Sequence, residues 1–128
     1  MKYLGIDYGK SRIGLAASDT GQLVRPLGTL QNKGDTKNVA YLSQFLPDML
    51  CIVCGLPLDI DGNETDMSRE VRRFGTVLQS QLGVQVVYHN ERYSSIEASE
   101  IIAGQKSKFS VDAVAAAVIL DGYLTLQG

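Results

Sequence analysis

Cysteine and histidine are scarce in this chain of 128 residues, which contains two cysteines and one histidine. A structural zinc site would need further Cys or His ligands. Cys51 and Cys54 lie in an apolar run typical of a strand, where their spacing turns them to opposite faces. A redox Cys-x-x-C motif would instead open a helix. We therefore expect two buried, reduced thiols.

Long apolar runs are also missing, and no stretch approaches the roughly 20 residues that a membrane-spanning helix needs. Asp7 interrupts the first apolar run, so the N-terminus does not resemble a signal peptide. The formal net charge of −2 argues against a surface that is basic throughout, although it allows a local basic patch. We expect a cytoplasmic protein with no membrane association.

The order of apolar patterns predicts one α/β domain over residues 1–128. Short connections join the first three predicted strands, which indicates an antiparallel meander. A helix separates the third strand from the fourth, so the fourth should run parallel to the first. We expect a five-stranded mixed sheet with helices on both faces. The predicted strands cover residues 4–8, 12–18, 23–30, 49–55 and 84–89, and the predicted helices cover 35–47, 64–82, 94–104 and 111–126.

An acidic residue, Asp7, stands in a first strand that otherwise looks central to the sheet. Alternation directs Leu4 and Ile6 to one face and Asp7, with its flanking glycines, to the other. A buried carboxylate is costly unless something pairs with it. The glycines leave space for a ligand, an ion or a backbone segment. An Asp that binds nearby amides at a strand end is the structural alternative, and both interpretations stay open on these residues.

Two further carboxylates occupy positions that the predicted topology can bring near Asp7. Glu91 follows the fifth strand, immediately before a predicted helix. Asp112 lies in the first turn of the last helix, on the face that includes Ala116 and should pack on the sheet. Parallel strands end on the same side of the sheet, so the predicted topology can bring the three carboxylates together. Ligands of open α/β sheets usually bind at these C-terminal strand ends.

Several basic residues are candidates for contact with nucleic-acid phosphates. The segment 105–110 contains two lysines, but it serves equally well as a soluble connector. The arginines of the second predicted helix form its polar face, and solvation is their default explanation. The candidates are Arg12, Arg92, Lys106 and Lys108.

Four segments of the chain together form a specific pattern. They are Gly5-Ile6-Asp7-Tyr8-Gly9 with residues 12–19, Gly55-Leu56-Pro57 with Asp61-Gly62, Glu91-Arg92 before two serines, and Val111-Asp112 with residues 115–120. In this order they resemble the YqgF family of RuvC-like, ribonuclease H-fold proteins. That family is described as Holliday-junction resolvases and as nucleases that mature the 5′ end of pre-16S rRNA. The family pattern Asp-Glu-Arg has Asn90 at its first position here, which removes one charge.

The resemblance implies a ribonuclease H-like fold and a phosphodiester hydrolase that depends on divalent metal ions. Asp7, Glu91 and Asp112 would be its catalytic residues and would hold two Mg²⁺ or Mn²⁺ ions, with Asp7 shared between them. Two such ions about 3.5–4 Å apart can activate water and stabilise the leaving oxygen. The substrate would be precursor rRNA, and we expect a monomer or a weak homodimer.

Three alternatives remain at this point. A Holliday-junction resolvase would act on branched DNA and would have to present two sites. A catalytically silent nucleic-acid-binding module would retain the fold, and Asn90 keeps that possibility open. A phosphotransferase of the actin and sugar-kinase type also has Asp-x-Gly after a first strand, but the chain is too short for the second lobe of that class.

Overall fold

The computed structural model describes residues 1–91 and 110–127. Their strands form one sheet in the order β3-β2-β1-β4-β5. The predicted helix over 94–104 lies outside the described residues. The strands are β1 (Tyr3–Tyr8), β2 (Arg12–Ser18), β3 (Arg25–Gln31), β4 (Cys51–Leu56) and β5 (Gln85–Asn90), and the helices are α1 (Asp35–Leu42), α2 (Asp66–Leu82) and α3 (Val111–Gln127).

Strand β1 is the central strand of the sheet, as its composition predicted. It pairs antiparallel with β2, which pairs antiparallel with β3. On its other side β1 pairs parallel with β4, and β4 pairs parallel with β5. The mixed sheet and the antiparallel meander are therefore confirmed. This arrangement places the C-terminal ends of β1, β4 and β5 at one edge of the sheet.

Helices cover both faces of the sheet, and each face has its own core. Leu4 and Ile6 of β1 face the first core, together with Phe74 and Leu78 of α2. The second core lies under α3, where the backbone of β1 approaches the helix closely. A Cβ at Gly5 would lie 2.9 Å from the carbonyl oxygen of Ala116. The buried residues of this second core are Ala16, Cys51, Val53, Val114, Ala116, Ala117, Ile119, Leu120 and Leu124.

The third strand and the second helix begin two residues later than predicted. The Thr20 hydroxyl accepts hydrogen bonds from the amides of Gln22 and Leu23, which holds both amides in the turn before β3. At α2 the N-cap is Thr65, which forms a capping box with Ser68. Side chains that bind nearby backbone groups therefore set both boundaries.

The first helix is capped by Gly34, not by Asp35 as predicted. Gly34 has a φ of 99° and provides no side-chain cap. Asp35 is the first helical residue, and its carboxylate binds Arg73 of α2 at 2.6 Å. The helical segment ends earlier than expected, with a 3₁₀ turn over Ser43–Phe45.

Cys51 and Cys54 are buried, unpaired in any disulfide, and lie in different cores, as predicted. In β4 their side chains alternate between the face under α3 and the face under α2. Among the helices in residues 1–91 and 110–127, none combines the length and the apolar composition needed to cross a bilayer.

Candidate active site

Asp7 lies near the C-terminal end of β1, on the face of the sheet that α3 covers. Its partner in the antiparallel register of β2 is Gly14. On the other side, Ile6 pairs with Cys54 of β4, so Gly55 is the next residue of the parallel strand. Both neighbouring strands therefore present glycine beside Asp7, and the space that this leaves is filled by other segments of the chain.

The first turn of α3 lies directly over this space. A Cβ at Gly14 would collide with the backbone carbonyl of Asp112. Ser110 caps the helix by accepting from the Ala113 amide at 3.1 Å, and its hydroxyl contacts the hydroxyl of Thr29 in β3. The start of α3 is thus fixed on β2 and β3, with Asp112 on the side of Asp7.

Glu91 reaches the same space from β5. Its Oε1 lies 3.0 Å from the position that a Cβ at Gly55 would take. The same Cβ would also crowd Ile119 of α3. Because Gly55 has no side chain, the Glu91 carboxylate can extend over the end of β4 toward β1.

The charges of the other two carboxylates act on Asp7. Burial is the main cause that raises the pKa of Asp7 to about 7, and the charges of Glu91 and Asp112 raise it further. Although Glu91 as a whole is exposed, the protein around its carboxyl group desolvates it and raises its pKa. A cation near these groups would favour their charged forms.

The donor chemistry fits a hard divalent cation, since carboxylate oxygens are the ligands that Mg²⁺ prefers. Within residues 1–91 and 110–127, however, no three acidic, histidine or cysteine side chains are grouped closely enough to hold one ion. Asp112 is directed to another partner, because its Oδ2 accepts from Nε of Arg12 at 2.8 Å. The ligands are thus brought to one place without forming a coordination shell.

Of the predicted phosphate contacts, only Arg12 lies among the described residues. Arg92, Lys106 and Lys108 lie outside them. The arginines of α2 are occupied: Arg72 binds Glu64 at 2.8 Å, and Arg73 binds both Asp35 and Glu70 at 2.6 Å. These ion pairs agree with a solvated polar face for α2.

The loop between β4 and α2 is held by its own hydrogen bonds. Asp59 Oδ1 accepts from the amides of Asp61 and Asn63 at 2.9 and 2.8 Å. The Thr65 hydroxyl donates to the Pro57 carbonyl at 2.8 Å, which ties the loop to the cap of α2. These contacts give Asp59 and Thr65 a structural role in the loop.

Sequence reasoning missed a cavity of about 670 Å³ on the α2 side of β1, lined by Tyr8, Lys10 and Glu70 among others. The alternation that places Asp7 under α3 also turns Tyr8 toward α2, and this signal could have revealed the cavity. Two of its lining side chains donate hydrogen bonds: Tyr8 donates to Glu70 at 3.3 Å, and Asn32 donates to the Gly9 carbonyl at 2.9 Å. The cavity lies on the face of the sheet opposite to Asp7 and is separate from the candidate site.

Comparisons with known proteins extend the resemblance found in the motifs. The family model described as "RuvX: Holliday junction resolvase" matches residues 1–126. A relative from Pseudomonas savastanoi pv. phaseolicola is 41% identical, over 94% of this chain and 89% of its own length. A relative from Anaeromyxobacter dehalogenans strain 2CP-C is 37% identical, over 97% and 96%, respectively. Both are named "Putative pre-16S rRNA nuclease".

Similarity to solved structures is much weaker. A polyphosphate/ATP-glucomannokinase from Arthrobacter sp. strain KM aligns with a TM-score of 0.41 at 15% identity, over 76% of this chain and 45% of the kinase. A likeness this low has no bearing on function. The family match covers nearly the whole sequence and confirms the resemblance seen in the motifs. The chain therefore belongs to the RuvX family, whose members are described as Holliday junction resolvases.

Proposed function

We propose that this chain is a metal-dependent endonuclease that hydrolyses phosphodiester bonds during maturation of the 5′ end of pre-16S rRNA. The observation that carries the proposal is the convergence of Glu91 and of the first turn of α3, which carries Asp112, on Asp7. Burial and the charges of Glu91 and Asp112 raise the pKa of Asp7, which agrees with this arrangement. Two carboxylates about 5 Å apart repel by on the order of 3 kcal/mol at an effective dielectric near 20. Carboxylates that repel one another in this way are poor scaffolding and suit a cation site.

In this proposal Asp7, Glu91 and Asp112 would hold two Mg²⁺ or Mn²⁺ ions, with Asp7 as the central ligand. Bound divalent ions supply activation of water and neutralisation of charge on the scissile phosphate. Gly14 and Gly55 allow the Asp112 backbone and the Glu91 carboxylate to approach Asp7 closely. The fixed start of α3 orients Asp112 by way of Ser110.

The chain also offers groups that can bind the nucleic-acid backbone. Arg12 is 67% exposed at the edge of the site and has a planar guanidinium suited to phosphate. Arg92, Lys106 and Lys108 are proposed as further phosphate contacts from the sequence alone. We propose that all these residues act within one domain, as a monomer or weak homodimer in the cytoplasm.

The names of the relatives favour precursor rRNA as the substrate. The description of the family favours a second candidate, cleavage of four-way DNA junctions. A resolvase must cut two strands and so must present two sites, whereas end maturation of rRNA needs only one. The two functions are therefore separable by substrate and by the oligomeric state of the active protein.

The decisive experiment offers both substrates to the purified protein with Mg²⁺ or Mn²⁺. We expect a cut at the 5′ end of a pre-16S rRNA fragment, and we expect chelation of the metal to stop it. Asp7→Asn should reduce cleavage on the order of 100-fold or more, since it removes the charge of the central ligand. Cleavage of neither substrate, or wild-type activity in Asp7→Asn, would contradict the proposal.

A further inference from the structure

An ion pair joins two residues that both belong to the proposed site. Nε of Arg12 lies 2.8 Å from Oδ2 of Asp112, although 100 positions separate them in the sequence. Arg12 opens β2 at the edge of the sheet where β1 ends, and Asp112 lies in the first turn of α3. The pair therefore joins the start of β2 to the start of α3, close enough to Asp7 for the charge of Asp112 to act on it.

A metal ion and the guanidinium need the same carboxylate. Resting on the proposed function, we propose that Arg12 is a positioning residue that holds Asp112 until a divalent ion displaces it. Arg12 then lowers the affinity of the site for metal and becomes available for phosphate once metal has bound. Arg12 therefore weakens metal binding and strengthens nucleic-acid binding.

The exposure of the pair fits an exchangeable contact. The Arg12 side chain is 67% exposed and that of Asp112 is 28% exposed. Exposed ion pairs contribute little in water, which corresponds to a change of at most roughly fivefold in an equilibrium constant. A divalent ion that is also bound by Asp7 and Glu91 can overcome competition of that size.

The released guanidinium has a suitable second partner. Arg binds phosphate through two parallel N–H donors, and a charged acceptor strengthens such bonds. Because metal binding would free these donors, metal and nucleic acid should each strengthen the binding of the other. Such coupling is reciprocal by thermodynamic necessity.

The chain offers a matched control at the opposite edge of the sheet. Nε of Arg25 lies 3.2 Å from Oδ2 of Asp19, and both side chains are more than half exposed. This pair has the same chemistry as Arg12 with Asp112. It sits at the start of β3, beside the end of β2. Removing Arg25 changes the net charge equally without touching the proposed site.

The test measures binding of Mn²⁺ alone, followed by the EPR signal of the free ion. Arg12→Ala and Arg12→Gln should bind Mn²⁺ roughly two- to fivefold more tightly than wild type, and Arg25→Ala should match wild type. In an Asp112→Asn background, removing Arg12 should no longer tighten binding, because the effect acts through that carboxylate. Thermal unfolding confirms that each variant is folded, and the Gln variant keeps most of the side-chain stem.

A second measurement uses a pre-16S rRNA fragment in Ca²⁺. Both Arg12 variants should bind this RNA more weakly than Arg25→Ala does. If folded Arg12 variants bind Mn²⁺ no more tightly than wild type, or if the gain persists with Asp112→Asn, the inference is wrong. If instead wild type shows no Mn²⁺ binding that Asp7→Asn removes, the proposed metal site itself is wrong, and the inference falls with it.

Discussion

Asp7 and Gly14 are register partners in β1 and β2, and the backbone of Asp112 lies directly over Gly14. Asp7 and Asp112 are therefore brought together because Gly14 has no side chain. A residue larger than glycine there would force α3 away from the sheet. The position of Asp112 over β2 thus depends on Gly14 as much as on the helix that carries it.

Gly14→Ala should reduce both stability and metal affinity. The new Cβ would collide with the Asp112 carbonyl, and overpacking of this kind costs about 1–3 kcal/mol. Gly5→Ala is the matched control, since its Cβ would meet Leu120 at 2.8 Å farther along the same helix. Both variants should unfold in less urea than wild type, but only Gly14→Ala should also weaken Mn²⁺ binding in the folded state. Equal Mn²⁺ affinities would show that Gly14 affects only packing.

The strand pairing was predictable because it follows from alternation and loop length. Leu4 and Ile6 alternate with Asp7 along β1, and this alternation predicted which residues face each side of the sheet. The first residues of β3 and α2 were less predictable, since Thr20 and Thr65 bind backbone amides within the turns that precede these elements. Such bonds depend on side-chain rotamers that a hydrophobic pattern does not encode.

The candidate site was predictable only as a set of residue types. Topology indicated that Asp7 and Asp112 could meet, and their electrostatic interaction agrees. The contact of Arg12 with Asp112 joins positions 100 residues apart, and no local pattern specifies it. The role of Gly55 was equally unpredictable, because it depends on contact with Glu91, which follows a different strand.

Asp7→Asn should stabilise the protein in EDTA at pH 8. The pKa of Asp7 rises from 3.8 to about 7 on folding, so between these values the folded chain keeps a proton that the unfolded chain has lost. The unfolding free energy of the wild type therefore falls as pH rises through this window. The unfolding free energy of the Asn variant does not fall for this reason, because the amide does not titrate. Urea unfolding at several pH values measures the difference in unfolding free energy between the variant and the wild type. This difference should be smallest near pH 4 and largest at pH 8. A constant difference across this range would contradict the assigned environment of Asp7.

The two thiols should resist modification in the native protein. Burial raises the pKa of Cys51 to about 11 and that of Cys54 to about 12, so neither forms thiolate at pH 8. A thiol reagent should titrate both groups rapidly in denaturant and only slowly in native buffer, where labelling needs local opening. Cys51, under α3, is 4% exposed, whereas Cys54, under α2, is fully buried, so local opening should expose Cys51 first. Single variants Cys51→Ala and Cys54→Ala distinguish the two rates, and faster labelling of Cys54 would contradict this order.

Replacing Lys106 and Lys108 together with Ala should reduce the salt dependence of RNA binding. Each phosphate contact with single-stranded nucleic acid contributes about 0.7 to the slope of log K against log salt, so losing two should lower it by about 1.4. The control is Arg72→Gln with Arg73→Gln, because Glu64, Asp35 and Glu70 already neutralise these arginines.

Filter binding of a labelled pre-16S rRNA fragment at several salt concentrations, in Ca²⁺, measures both slopes. The arginine variant should keep the wild-type slope, since its side chains release few counterions on binding RNA. An unchanged slope in the lysine variant would show that residues 105–110 are only a connector. A reduced slope in the arginine variant would instead place the RNA across α2, on the face of the sheet away from Asp7, and would contradict a backbone path along the proposed site.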